Sequence, residues 1–258
     1  KDRKLLVKNA QVLTSLAPDV LIAGCGTGQH AIQVAAHLKN SKIVAIDLSR
    51  ASLAYAQRKT DEYGLTNIEY LQADILDLEH LDRKFDIIES SGVLHHMKCP
   101  EEGWRILTKL LKPQGLMKIG LYSSLARTDI AHARKEIELQ RIGSDRKSMI
   151  IFRDKIIDSK AENHHSLTLK MDFYSTSEFR DLLFHVQEHR FTLPKIKAIL
   201  SDLELTFCGF EGEELRKRFL SEYSDSGSIY DLSKWDKYEL QNPDTFRNMY
   251  EFWCQSVK

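Results

Sequence analysis

Three glycines on alternate positions, Gly24, Gly26 and Gly28, end the apolar run in Asp19-Val-Leu-Ile-Ala-Gly-Cys-Gly-Thr-Gly-Gln-His30. Glycine adopts dihedrals that a Cβ forbids and lets the main chain approach a ligand closely. Two acids follow. Asp47 closes Lys42-Ile-Val-Ala-Ile-Asp47, and Asp74 closes Ile68-Glu-Tyr-Leu-Gln-Ala-Asp74. An acid about twenty residues past such a turn is placed to accept both hydrogen bonds of a ribose diol. Asp47 has that offset, although its position before Leu48-Ser49-Arg50 also suits a helix cap. Asp74 is suited to accept from an adenine amino group, with Ile75 against the ring face. This is chemistry for holding a nucleoside.

Farther along, Glu89-Ser-Ser-Gly-Val-Leu-His-His-Met97 brings two imidazoles past an apolar segment. His95 and His96 are candidate general bases because imidazole titrates near neutrality. Packing for one and solvent exposure for the other is the plainer alternative. Tyr122, beside Ser123, is a candidate wall of an acceptor pocket or a core tyrosine with a satisfied hydroxyl. A competing pattern is His185-Val-Gln-Glu-His189, which matches the zinc-binding H-x-x-E-H. On a helix its histidines would share one face. No third ligand follows it, so no metal is expected, and His185, His189 and Arg190 read instead as part of a lid, an acceptor wall or a polar helix face.

These residues need a frame. Val20 to Ala23 reads as a buried parallel strand, and Ala31, Ile32, Val34, Ala35, Ala36 and Leu38 make one face of the helix after the glycines. Residues 42–47 form a second strand. Ser49 caps a helix through about Tyr63, with Gly64 as its stop. Strands follow at 68–74 and 85–90. A helix with Trp104, Ile106, Leu107, Leu110 and Leu111 ends at Lys112-Pro113-Gln114-Gly115, before a fifth strand at 116–122. Strands alternating with helices imply a doubly wound parallel sheet, which binds ligands beyond the carboxyl ends of its strands.

The rhythm then changes. Residues 124–165 read as helices over the sheet, with a strand next expected at Leu167 to Met171. Helices are expected from Ser177 to Glu188 and from Leu193 to Leu203, then a late strand from Leu205 to Phe210. The tail carries Phe219, Tyr223, Tyr230, Trp235, Tyr238, Phe246, Tyr250, Phe252 and Trp253. So many aromatics require a buried surface, expected to be this same domain rather than a partner.

Composition narrows the class. In 258 residues, 37 basic side chains balance 37 acidic ones, which gives no bulk charge for nucleic acid or an anionic membrane. The four cysteines are scattered without a C-x-x-C pair, as expected of free thiols in a reducing, cytoplasmic setting. No apolar run approaches a membrane span. The first residue is Lys1, so the sequence is expected to be part of a longer chain, and oligomeric state stays open.

The glycine spacing selects among nucleotides. A dinucleotide turn is G-x-G-x-x-G/A, but Gln29 stands where its third small residue belongs. Ala23-Gly24-Cys25-Gly26-Thr27-Gly28 instead resembles the first motif of class I methyltransferases that use S-adenosylmethionine. The resemblance runs from Asp19 to Tyr122 through Asp47, Ala73-Asp-Ile75, Phe85-Asp86, Gly92-Val-Leu-His-His96 and Leu111-Lys-Pro-Gln-Gly115. That family usually has two glycines in the last turn, and Gln114 takes the first place, as a type I turn tolerates. Tyr122-Ser-Ser-Leu-Ala-Arg127, Asp172-Phe-Tyr-Ser-Thr-Ser177 and His189-Arg-Phe-Thr192 are similar to a bacterial group in which the domain follows tetratricopeptide repeats, and such repeats do not occur in this sequence.

The resemblance implies an α/β, doubly wound, mostly parallel Rossmann-like sheet with a helical insertion after the fifth strand and an aromatic-rich C-terminal extension. The divisions are a helical lead-in at 1–18, a cofactor half at 19–123, a helical cover at 124–211 and the extension at 212–258. S-Adenosylmethionine is the implied cofactor and S-adenosylhomocysteine the product. Its implied contacts are Gly24, Cys25, Gly26, Gly28, His30, Asp47, Leu48, Asp74, Ile75, Ser90 and Ser91, with His95, His96 and Tyr122 toward the acceptor. That acceptor is a small molecule or a protein side chain, with neither nucleic acid nor membrane expected. Two other readings remain: a cofactor-binding module without turnover, and a nicotinamide-dependent oxidoreductase.

Overall fold

The computed structural model describes residues 17–38 and 40–256. The lead-in helix expected over 1–18 therefore lies almost wholly outside the described residues. The first half alternates β1 (Asp19–Ala23), α1 (Gln29–His37), β2 (Lys42–Asp47), α2 (Arg50–Glu62), β3 (Ile68–Gln72), β4 (Phe85–Ser91), α3 (Pro100–Lys109) and β5 (Leu111–Leu121). Val20, Leu21 and Ala23 are fully buried, as in a strand covered on both faces. Ser49 caps α2 by accepting from the Ser52 N–H, and Gly64 leaves the helix at a φ of 64°.

The cover follows as α4 (Thr128–Gln140), α5 (Arg146–Asp158), α6 (Glu162–Thr168) and α7 (Thr176–Phe184). It encloses its own apolar cluster, which includes Ile130, Phe152, Leu167, Phe173 and Phe179. Burying Leu167 in that cluster makes residues 162–168 helix where a strand at 167–171 was expected. The chain returns through α8 (Leu193–Asp202), β6 (Leu205–Phe210), α9 (Glu213–Glu222), α10 (Leu232–Gln241) and β7 (Tyr250–Ser256).

The seven strands lie in the order β3-β2-β1-β4-β5-β7-β6. The first five are mutually parallel, while β7 runs antiparallel to both β5 and β6. β7 was not foreseen. Its alternate residues Tyr250, Phe252 and Cys254 are fully buried, so the tail completes the sheet. Trp235, Phe219, Phe246 and Phe252 join Trp104 in the main core, and the aromatic tail thus packs on its own domain.

Two further expectations are corrected. Gln114 does not sit in a type I turn; its φ is 60°, in the left-handed region. That conformation is the physical reason glycine suits this turn. The helix expected through Glu188 ends at Phe184, and farther along His189 and Phe191 bond to His95, in the 3-10 turn after β4, and to Tyr122 at the end of β5.

Candidate active site

The chain leaves β1 toward β2 and β3 on one side, then crosses back to β4 and β5 on the other. The crevice therefore belongs between the carboxyl ends of β1 and β4. Gly24-Gly28 emerges there from β1, with Val93, just past β4, packed against Gly24. The turn is held from β2: the N–H groups of Gly24 and Cys25 donate to Ile46 O at 2.9 and 2.8 Å. The Gly26 N–H donates to Asp47 Oδ2 at 2.8 Å, and the Ser49 N–H to Asp47 Oδ1 at 2.9 Å. Both Asp47 oxygens thus accept main-chain N–H groups, while Ser49 itself is the N-cap of α2.

The three glycines differ in their surroundings. A Cβ on Gly24 would lie 2.2 Å from Val93 Cγ2, and one on Gly28 would lie 2.5 Å from Ala56 Cβ. Those two serve close packing. A Cβ on Gly26 would meet nothing within 4 Å, so the main chain there borders open space.

Other expected contacts ring this opening unevenly. Half-buried Asp74 accepts from the Leu76 N–H at 2.9 Å and caps a short 3-10 turn. Leu48 is exposed on the rim, and His30 Nε2 lies 2.5 Å from Glu89 Oε2 of β4. Cys25 is buried, and burial, reinforced by the Asp47 charge, pushes its thiol up to about 12. Among the described residues Ser90 Oγ is buried without a hydrogen-bond partner, whereas Ser91 Oγ donates to Glu251 Oε1 at 3.2 Å. Ile75 is 5% exposed and packs within the main core.

Toward β5 the expected catalytic residues form a stack. The His95 ring lies 3.8 Å from that of Tyr122, and the Arg127 guanidinium carbon lies 3.6 Å from the Tyr122 centroid. Two groups that near one centroid occupy opposite faces. His95 is fully buried, and burial above all drives its pKa down to about 2. Burial thus keeps its imidazole neutral and packed against Tyr122. His96 Nδ1 is engaged by Gln187 O at 3.0 Å, and its ring lies 3.9 Å from that of His185. Burial lowers its pKa too.

His185 and His189 lie in a non-helical strap, so they do not share a helix face as a zinc pair would. The strap is laced down by main-chain bonds: His189 N–H to His95 O at 2.7 Å, and Phe191 N–H to Tyr122 O at 2.8 Å. Sequence reasoning missed Glu188, whose side chain is 2% exposed and accepts two bonds from Arg127. It also missed Glu239, held in the core by Ser123 Oγ at 2.6 Å and Tyr250 Oη at 2.7 Å. Each pairing spans a long stretch of chain and leaves no local pattern. The only signal was Arg127 itself, at the end of the distinctive Tyr122-Arg127 stretch.

Beside Tyr122 a cleft of about 920 Å³ opens between the cover and the C-terminal segment. Arg127, Asp129, Lys170, Asp172 and Met249 are among its lining residues. Met249 Sδ lies 3.4 Å from Ser91 Oγ, which joins the cleft to the crevice at the end of β4. The volume suits a ligand site.

Comparison with known proteins agrees with this geometry. Residues 20–115 match the model of a methyltransferase domain family. An uncharacterized protein of Synechococcus sp. is 30% identical over 237 residues, covering 86% of this chain and 56% of that protein. The release factor glutamine methyltransferase of Flavobacterium psychrophilum is 33% identical over 87 residues, 34% of this chain and 30% of that enzyme. Among solved structures, PKMT2 from Rickettsia typhi in complex with AdoHcy has a TM-score of 0.70 at 16% identity, over 94% of this chain and 49% of that one. The chain thus spans little more than half, or less, of each of these relatives. Residues 20–115 thus match a methyltransferase domain, and the sheet around them has the Rossmann-like order of class I methyltransferases.

Proposed function

We propose that the chain transfers a methyl group from S-adenosylmethionine to an acceptor seated in the cleft beside Tyr122. The observation that carries this reading is the open space at Gly26, bordered by the Asp47 carboxylate. A main chain bare of side chains beside an acid at a strand tip fits an adenosyl amino acid. The Gly26 segment would hold the amino-acid portion, Asp47 the ribose, and Asp74 with the Ile75 main chain the adenine. Leu48, His30, Ser90 and Ser91 would complete the wall.

The cofactor supplies a methyl already activated on a sulfonium. What remains for the protein is to align the acceptor and exclude water, and positioning alone accounts for large rate factors. Tyr122, gripped on both faces, is a rigid wall for that purpose. Neither His95 nor His96 is assigned as a base. The acceptor itself remains open between a small molecule and a protein side chain. Four free thiols are in keeping with a cytoplasmic setting. Among the described residues no helix is long and apolar enough to cross a membrane.

The test is methyl tracing. With tritiated S-adenosylmethionine and fractionated lysate, label should pass to an acceptor fraction with matching release of S-adenosylhomocysteine. Tight cofactor binding with no label transferred to any fraction would refute turnover.

A further inference from the structure

Arg127 belongs to none of the roles assigned so far, yet it is 5% exposed at the wall of the cleft. Its Nη2 and Nε donate to Glu188 Oε2 and Oε1 at 2.8 and 3.3 Å, while its guanidinium covers the free face of Tyr122 at 3.6 Å. Glu188 is also approached by Arg134 Nη1 at 3.5 Å, and Arg134 Nη2 donates to His185 O at the start of the strap. The strap is in turn bonded to His95 O and Tyr122 O. Tyr122 is therefore held by its main chain, by His95 below and by Arg127 above.

A buried ion pair of this kind adds little net stability, since desolvation offsets much of its attraction. Two parallel hydrogen bonds to a planar guanidinium do fix orientation closely. The arrangement is better explained by geometry than by stability.

We propose that Arg127, clamped by Glu188, is a positioning residue for the acceptor, pinning the Tyr122 ring that walls the cleft. The inference rests on reading that cleft as the acceptor site. Lysine cannot replace Arg127, because an ammonium offers no flat surface to stack and no fork for the carboxylate.

The experiment uses protein carrying 13Cζ-labelled tyrosine, with the Tyr122 resonance assigned by its loss in Tyr122→Phe. Arg127→Lys and Glu188→Gln are compared with the parent, and S-adenosylhomocysteine affinity is measured calorimetrically on each. The expected result is a displaced or broadened Tyr122 resonance in both variants, with affinity for S-adenosylhomocysteine within about twofold of the parent. Methyl transfer in the tracing assay should fall roughly a hundredfold in Arg127→Lys, the scale of an ångström misplacement. A Tyr122 resonance at its parental position in both variants overturns the proposal, whatever the transfer assay reads. If Arg127→Lys fails to fold, the near-isosteric Glu188→Gln decides alone. Failure of the parent itself to bind S-adenosylhomocysteine would instead refute the methyltransferase reading, and the tyrosine spectra would still report on the clamp.

Discussion

Asp47 Oδ2 accepts the Gly26 N–H at 2.8 Å, so the acid ending β2 holds the turn that follows β1. Its other oxygen accepts from Ser49 at 2.9 Å. A carboxylate has about four lone-pair positions, and these two bonds leave acceptor capacity for a ribose diol. The turn and the proposed sugar site would thus be one unit built around a single side chain.

Replacing Asp47 with alanine removes both bonds. The expected stability loss is about 1–3 kcal/mol, and S-adenosylhomocysteine affinity should weaken at least about tenfold. Calorimetric titration together with urea unfolding measures the two effects separately. An unchanged dissociation constant would contradict the sugar-binding role.

Gly26→Val and Gly24→Val should fail in different ways. At Gly26 the added side chain enters open space, and the cost to folding is backbone strain at φ 52°, about 1–2 kcal/mol. Binding of S-adenosylhomocysteine should nevertheless vanish. At Gly24 the new Cβ would lie 2.2 Å from Val93 Cγ2, so thermal stability should drop further than in Gly26→Val. Thermal melts of both variants with calorimetry on Gly26→Val settle the point. Normal cofactor affinity in Gly26→Val would contradict the assignment.

His95 predicts a pH dependence of stability. Its folded pKa, pushed by burial to about 2, lies below the ordinary 6.5. As pH falls below about 6.5, the unfolded chain takes up a proton that the folded chain refuses. The stability that this histidine contributes is full above that pH and is lost at about 1.4 kcal/mol per pH unit below it. His95→Phe keeps a ring against Tyr122 and should flatten the acid limb by about 2 kcal/mol between pH 6.5 and 5. Urea unfolding across that range is the measurement, and superimposable limbs for parent and variant would contradict it.

Cysteine labelling tests the turn in the native protein. Cys25 is buried, with its thiol raised to about 12, whereas Cys99 is exposed. The thiolate is the reactive form, so iodoacetamide at pH 8 should label Cys99 and spare Cys25. Peptide mass spectrometry reads the outcome. Equal labelling would show that the turn is not packed as described.

Much of this architecture was legible in particular residues. The run Val20-Leu-Ile-Ala23 and the acid Asp47 marked strands β1 and β2 because a parallel sheet buried on both faces excludes polar residues until its edge, whereas β3 ends at Gln72 and Asp74 caps the turn after it. Tyr250–Ser256 also alternates as a strand does, but its dense aromatics read as generic packing. Nothing between Phe184 and Glu188 breaks a helix by composition. The helix ends there because His189 and Phe191 find main-chain partners in the turn after β4 and at the end of β5, and Glu188 finds Arg127. Pairings between residues so far apart in sequence have no local signature. The crevice was therefore visible in sequence, while the clamp around Tyr122 was not.

The most direct test is a crystal structure of the protein with S-adenosylhomocysteine. The account predicts the amino-acid portion along the Gly26 main chain and the ribose hydroxyls on the Asp47 carboxylate. Ligand density elsewhere on the molecule, or a crevice still empty at saturating ligand, would contradict it.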